Sequence, residues 1–428
     1  MSNRVGVLPA AAEDLCSGAG EPGLPDIETA TPGLIAGLKN TPGAFKAMAL
    51  AALNIKGGVV VLHLPDGRRL AFGEGPLRAQ ILIKDFAGAE RIVKAGDIGF
   101  GEGYIAGEWD TPDLPALLTF FAANAEEFGR MWRGNPLVRA MQAVRHWTRR
   151  NSKAGSRRNI LAHYDLGNAF YEQWLDPSMT YSSARFVEPG LSLEQAQQAK
   201  YQAIADKLEL QPGERVLEIG CGWGGFAEYA AKVRGARVVG LTLSDEQLAF
   251  ARARIARAGL SEQVELRLQD YRDTTGPFDK VASIEMFEAV GEKYWPAYFG
   301  KIADVLKPGG RAALQIITIR DELFEEYRAN TDFIQKHVFP GGMLPSVKRL
   351  RIETARAGLG FAEMEAFGKD YARTLSMWRQ TFLARWEAIA PLGFDVRFKR
   401  LWDYYLAYCE AGFATERTDV VQVALTKP

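Results

Sequence analysis

The decapeptide Val216-Leu-Glu-Ile-Gly-Cys-Gly-Trp-Gly-Gly225 constrains this chain more than any other segment. A short apolar run stops at Gly220, Gly222, Gly224 and Gly225, and a helical pattern follows. That is the turn between a buried parallel strand and the helix that crosses back over the sheet. From Glu214 onward strand and helix patterns alternate, with strands expected at 215–219, 237–241, 264–268, 280–284, 311–317, 361–367 and 420–425. Seven strands in this arrangement fit a doubly wound α/β sheet with helices on both faces. Lys307-Pro-Gly-Gly310 reads as a turn before the fifth strand. Helical stretches at 371–389 and 395–411 form an insertion, residues 371–411, before the last strand.

At 428 residues the chain has room for a second, smaller unit. Residues 31–132 are expected to supply it as an α+β domain. Val59-Val-Leu-His-Leu64 and Leu70-Ala-Phe72 flank the turn signal Pro65-Asp-Gly-Arg68, residues 79–84 offer a third strand, and Leu114, Leu117, Leu118 and Phe121 recur at helical spacing. Residues 1–30 read as a loose Gly, Ala and Pro-rich tail, without the basic start and apolar run of a signal peptide. Lys+Arg and Asp+Glu both number 52, which leaves no footprint for nucleic acid, so an electrostatic partner must meet a local patch. Residues 133–160 carry one. Arg133, Arg139, Arg145, Arg149, Arg150, Lys153, Arg157 and Arg158 occur with no acid among them, interleaved with Met141, Val144 and Trp147. This is either a solvated linker or a basic-aromatic element that docks on anionic lipid headgroups, which attract each nearby cation by about 1 kcal/mol. No apolar run approaches the roughly 20 residues needed to span a bilayer. The widely spaced Cys16, Cys221 and Cys409 suit a reducing cytosol, and metal-ligand spacing is absent. Any membrane contact is then expected to be peripheral, on the inner face of the cell membrane.

Gly220, Gly222 and Gly225 satisfy G-x-G-x-x-G, so a dinucleotide is the first ligand to weigh. A pyrophosphate wants the helix N-terminus free of negative charge, yet Glu218 stands two residues before the first glycine. The second strand also ends Gly240-Leu-Thr-Leu-Ser244, with no acid for ribose hydroxyls. An acid at the loop and no phosphate cradle suit S-adenosylmethionine, which carries a sulfonium and an ammonium, and the fold is then a class I methyltransferase of Rossmann-like type. Thr242 and Gln247 flank the cofactor region, with Ser244 and Gln247 forming a capping box on the next helix. Asp270, followed by Tyr271, follows the third strand, where it either accepts from an adenine amino group or is a plain turn acid.

Further segments make the reading specific. His163-Tyr-Asp-Leu-Gly-Asn168, Phe170-Tyr-Glu-Gln-Trp-Leu-Asp176, Met179-Thr-Tyr-Ser-Ser183, Met286-Phe-Glu-Ala-Val-Gly291, Phe339-Pro-Gly-Gly-Met-Leu-Pro345 and Tyr371-Ala-Arg-Thr-Leu375 closely resemble the cyclopropane-fatty-acyl-phospholipid synthase family. The resemblance spans about residues 57 to 428. It implies transfer of a methyl group to a cis double bond of an unsaturated acyl chain in a membrane phospholipid, and a homodimer. It places Tyr181 and Ser182 beside the cofactor, and Glu288 and Tyr371 in a cage for a bicarbonate ion acting as base.

The chain departs from that cage at several points. Ser183 replaces the usual cysteine, Ala289 and Gln315 replace histidines, and Glu285 replaces a glycine. Glu285 lies three residues before Glu288, a spacing that can put both carboxylates on one face of a helical turn and raise one pKa; alternatively Glu285 only caps that turn. The departures resemble the branch of the family that methylates without closing a ring, giving methylene or methyl-branched products and, with a partner reductase or oxidase, methyl-branched or furan fatty acids. The catalytic candidates are Glu285, Glu288, Tyr371, Gln315, Ser183 and Cys409. Cys409 matches a cysteine the family has been thought to use, but Tyr408-Cys-Glu-Ala-Gly-Phe413 reads better as the buried end of a helix. Trp174, Trp378 and Trp402 read as core more readily than as an acyl tunnel.

Overall fold

The computed structural model describes residues 27–127 and 166–428. Of the tail expected over residues 1–30, residues 1–26 lie outside the described residues, as do the basic run at 133–158 and His163 to Asp165; its last part is not loose, since Ile27–Thr29 pairs in parallel with Arg69–Ala71. In the first part, β1 (Ile27–Thr29), β2 (Gly58–His63), β3 (Arg69–Phe72), β4 (Leu77–Ile83) and β5 (Trp109–Asp110) form a sheet of order β1-β3-β2-β4-β5. The expected hairpin is the antiparallel β2–β3 pair, while β4 joins β2 in parallel. The helix Leu114–Ala123 covers this sheet and is capped by the Asp113 carboxylate, which accepts from the Ala116 N–H at 3.0 Å. Sequence periodicity did not reveal the helix Ala87–Ala106, whose turn pattern breaks at Gly96 (φ 61°). Its Gly101 is needed for packing: a Cβ there would come within 2.7 Å of the Phe333 ring and 2.8 Å of Tyr404.

The second sheet contains β6 (Arg215–Ile219), β7 (Arg237–Thr242), β8 (Val264–Leu268), β9 (Phe278–Ile284), β10 (Leu306–Ile319), β11 (Gly360–Ala366) and β12 (Thr418–Thr426). Each overlaps an expected strand. The Lys307–Gly310 segment is not a free turn; it is an irregular start of β10, where the pairing with β9 shifts register between Leu306 and Arg311. The order is β11-β12-β10-β9-β6-β7-β8, parallel from β10 through β8, with β12 antiparallel to both β10 and β11. β6 is flanked by β7 and β9, so the winding reverses between β6 and β9 and leaves a crevice at their carboxyl ends. The fold is therefore α/β, with a mostly parallel seven-stranded sheet.

The helices Gly368–Ala384, Trp386–Ile389 and Val396–Ala414 lie between β11 and β12, as the expected insertion does. Trp174, Trp378 and Trp402 are at most 3% exposed and pack edge-on with Tyr181, Phe170 and one another in a cluster that continues into the first part of the chain. Asp403 on the last of these helices accepts from Tyr104 Oη at 2.7 Å and from Arg379 Nε at 2.6 Å, tying the helix Ala87–Ala106 to the insertion. Among the described residues no helix is long and apolar enough to cross a membrane.

Candidate active site

The crevice at the ends of β6 and β9 is a cavity of about 160 Å³, walled by Tyr181, Ser182, Glu218, the glycine loop, Thr242, Gln247, Tyr271 and Glu285, among others. The loop bends sharply: Gly220, Gly222 and Gly224 have φ of 85°, 49° and 84°. At Gly220 a side chain is excluded twice, by the left-handed backbone and by Met286, whose Cγ would lie 2.7 Å from an added Cβ. Ser244 caps the helix Asp245–Arg257, accepting from the Gln247 N–H at 3.3 Å. The reciprocal half of the expected capping box is absent, because the Gln247 side chain instead accepts from Thr242 Oγ1 at 3.0 Å. Asp270 is held by Arg272, whose Nη2 and Nε donate at 2.6 and 2.8 Å, and it caps a short 3₁₀ turn. The cavity wall there is made by its neighbours Gln269 and Tyr271.

Glu218 is 3% exposed, and its Oε2 has no hydrogen-bond partner among the described residues. Burial pushes its pKa up to about 8, against the pull of Arg254 and Lys200. A buried carboxylate oxygen left open beside a cavity is unfavourable unless a cation or donor completes it. The ammonium of S-adenosylmethionine would do so, and the residues present fit that cofactor.

At the β9 end of the crevice Glu285 lies in the left-handed region (φ 49°), where the resemblance has glycine. Its Oε1 accepts from the Ser183 N–H at 2.8 Å and from Gln315 Nε2 at 2.7 Å, and its Oε2 from Tyr371 Oη at 2.7 Å. Burial raises its pKa, opposed by the Tyr371 hydrogen bond, the Lys200 charge and the other donors. Gln315 comes into reach because β10 runs beside β9 with Gln315 opposite Ile284. Its Oε1 accepts from Gln422 Nε2 at 3.0 Å, its cross-strand neighbour on β12.

Glu288, in the 3₁₀ turn Phe287–Ala289, accepts from the Ile317 N–H at 2.5 Å, and its Oε2 has no partner among the described residues. Burial, and secondarily the Glu285 charge, raise its pKa to about 8. The two carboxylates do influence each other, but not from one face of a helical turn: Glu285 precedes the turn on a left-handed residue and reaches toward Ser183 and Tyr371. A bicarbonate ion does not fit the cage that the resemblance implied, because Glu285 already engages Tyr371 and the donors beside it.

The remaining candidates take other places. Tyr181 Oη shares a hydrogen bond of 2.7 Å with Tyr405 Oη. Ser183 Oγ donates to the Ala184 carbonyl at 2.9 Å. Cys409 packs against the aromatic cluster, and burial pushes its thiol well up, which keeps it protonated. Lys200 was missed by sequence reasoning: it is wholly buried and donates to Ser182 Oγ at 2.6 Å. On a helix, a lone lysine among glutamines and alanines looks like a solvated position, so pattern gave no signal.

A family model described as mycolic acid cyclopropane synthetase matches residues 151–423. The chain belongs to this cyclopropane synthetase family. Tuberculostearic acid methyltransferase UfaA1 of Mycobacterium tuberculosis is 38% identical over 392 residues, 85% of this chain and 88% of that one. The cyclopropane-fatty-acyl-phospholipid synthase of Escherichia coli K12 is 36% identical over 356 residues, 82% and 89% of the two chains. Among solved structures, mycolic acid cyclopropane synthase CmaA1 complexed with SAH and CTAB superposes with a TM-score of 0.60 at 30% identity, covering 63% of this chain and 98% of that one. This member of the cyclopropane synthetase family is an S-adenosylmethionine-dependent methyltransferase.

Proposed function

We propose that this synthetase-family enzyme methylates the cis double bond of unsaturated acyl chains in membrane phospholipids and releases an open-chain, branched product rather than a cyclopropane. S-adenosylmethionine supplies an electrophilic methyl group. The residues of the chain then have two tasks. Glu218 completes the cofactor's cationic portion, and Glu285 takes the proton that must leave once the new carbon–carbon bond has left a cation on the acyl chain. A proton taken from a chain carbon re-forms a double bond beside the branch; one taken from the added methyl closes a ring or, after a hydride shift between the two chain carbons, leaves an exocyclic methylene. The observation that carries this reading is the Glu285 carboxylate at the cavity wall, held by Ser183 N–H, Gln315 and Tyr371. Held by three donors, the carboxylate is positioned as a fixed base, and Tyr371 and Gln315 are its orienting partners. Glu288, which burial keeps protonated up to about pH 8, could take that proton only above that pH.

Ring closure is the second reading, favoured by the 36% identity to a protein named for it. Substituting Glu285→Gln keeps the shape and removes the base. Turnover of labelled methyl into lipid should fall by at least 10²-fold, the low end for general-base removal, while cofactor affinity changes little. Unchanged turnover refutes Glu285 as the base. Docking on anionic lipid through the basic run at 133–158 belongs to the same proposal. Charge reversal at Arg149, Arg150, Arg157 and Arg158 should weaken co-sedimentation with anionic vesicles, and unchanged binding rejects that role.

A further inference from the structure

Assigning the proton to Glu285 leaves the buried charge beside it, Lys200, without a task. Lys200, on the helix Leu193–Lys207, donates from Nζ to Ser182 Oγ and to Gln197 Oε1, both at 2.6 Å. Gln197 Nε2 donates in turn to the Ser182 carbonyl at 3.0 Å. The next residue, Ser183, holds Glu285 Oε1 through its N–H, and Gln315 Nε2 holds the same oxygen. Gln422 Nε2 donates to Gln315 Oε1 at 3.0 Å and back to the Lys200 carbonyl at 3.4 Å. The contacts thus close into a ring through the helix, the 181–183 segment, the end of β9, β10 and β12, with Glu285 clamped on one side and the Lys200 ammonium on the other.

An ammonium removed from water is costly unless it is completed by acceptors and opposite charge. The acids whose charge bears on Lys200 are Glu285, Asp176 and Glu218, and its Nζ also lies 4.7 Å from the centre of the Tyr201 ring. Glu285 is faced by Tyr371 from the insertion, by Lys200, and by Glu288 from the following turn. Glu218 is faced by Arg254 and Lys200. Lys200 is therefore the positive charge that bears on both the cofactor wall and the acceptor wall. Burial lowers its pKa to about 7, so its charge is adjustable near neutrality.

We propose that Lys200 is a positioning residue that, through this ring and its own charge, fixes the orientation of Glu285 and keeps that carboxylate ionised for proton removal. The proposal rests on the reading of Glu285 as the base. Glu285 acts on the acceptor, whereas Lys200 acts only through Glu285 and Ser182.

The test combines pH–rate profiles of methyl transfer to phospholipid vesicles with a readout that needs no turnover. In Lys200→Met the loss of the cation should move the acidic limb of kcat upward by about one pH unit, the low end of what a nearby opposite charge confers. Lys200→Arg, which keeps the charge, should return the limb toward its original position. If Lys200→Met does not fold, Gln197→Leu, which removes one acceptor of the ammonium, should shift the limb in the same direction by less. The second readout is the ¹³Cε resonance of Lys200 in lysine-labelled protein, identified by its loss in Lys200→Arg. Its titration midpoint should drop in Glu285→Gln, because coupling between two sites is reciprocal. A Lys200 midpoint unmoved by Glu285→Gln, or an acidic limb unmoved in Lys200→Met, overturns the positioning role. Full activity in Glu285→Gln overturns instead the underlying assignment of the base.

Discussion

Cofactor affinity should rise with pH through the neutral range, and Glu218 sets the slope. In the free protein burial holds this carboxyl's pKa near 8, so at pH 7 about one molecule in ten carries the charge that a cationic ligand requires. Each pH unit well below 8 then costs about 1.4 kcal/mol, or tenfold in affinity, and above 8 the dependence levels off. Replacing the carboxylate by an amide also removes a charge-assisted hydrogen bond, which contributes about 1.5–3 kcal/mol. Titration calorimetry with S-adenosylmethionine in the absence of lipid acceptor, at pH 6, 7, 8 and 9, measures both effects. The wild-type dissociation constant should fall about tenfold between pH 6 and 7 and about fivefold between pH 7 and 8, as one carboxyl with a pKa near 8 ionises, and then level off. In Glu218→Gln it should be weaker above pH 8 and nearly flat throughout. A flat wild-type profile, or a slope that survives in Glu218→Gln, would refute the pairing of Glu218 with the cofactor's positive charge.

Other consequences can be measured on stability. Glu288 keeps its proton in the fold up to about pH 8, while the unfolded chain, with a carboxyl near 4.5, has already lost it. Rising pH across that window therefore favours unfolding, by up to about 1.4 kcal/mol per unit. Glu288→Gln removes this dependence, so denaturant titrations should find the variant gaining on wild type between pH 5 and 8; parallel curves would contradict the buried state of this carboxyl. Gly220→Ala forces a Cβ into Met286 on a left-handed backbone. A loss of at least about 1–2 kcal/mol, together with weakened cofactor binding, is expected by calorimetry. Asp403→Ala strands Arg379 and Tyr104 Oη at the junction between the insertion and the helix Ala87–Ala106. It should cost about 3 kcal/mol in urea unfolding, the low end for a broken buried pair.

The second sheet was readable because its inner strands carry apolar runs and its edge strands β8 and β11 alternate apolar with charged residues, and because a glycine turn after a buried strand has few architectures open to it. The helix Ala87–Ala106 was not, since Gly88, Gly96, Gly99, Gly101 and Gly103 dilute its apolar period. At the site, Glu218 and Thr242 could be found because they stand at the carboxyl ends of β6 and β7, and the glycine loop and Gln247 because they come just after those ends. The acceptor wall depends on neighbours distant in sequence. Glu285 meets Gln315 through β9–β10 pairing, and meets Tyr371 and Ser183 through packing of the insertion and the 181–183 segment. Spacing alone suggested a helical turn shared with Glu288, and it missed the left-handed residue that turns Glu285 toward Ser183 and Tyr371. Asp270, read as either an adenine acceptor or a turn acid, caps a short turn and accepts from Arg272 two residues on, contacts that spacing alone did not indicate.

The fate of the acyl chain tests the assignment of Glu285 most directly. The enzyme would be incubated with S-adenosylmethionine carrying a trideuterated methyl and with vesicles of a cis-unsaturated phospholipid, and the released fatty acids examined by mass spectrometry and proton NMR. Proton removal from a chain carbon predicts an unsaturated, methyl-branched chain that keeps all three deuterium atoms, with no upfield cyclopropane resonances. A cyclopropane or an exocyclic methylene, either keeping only two deuterium atoms, would contradict proton removal from a chain carbon.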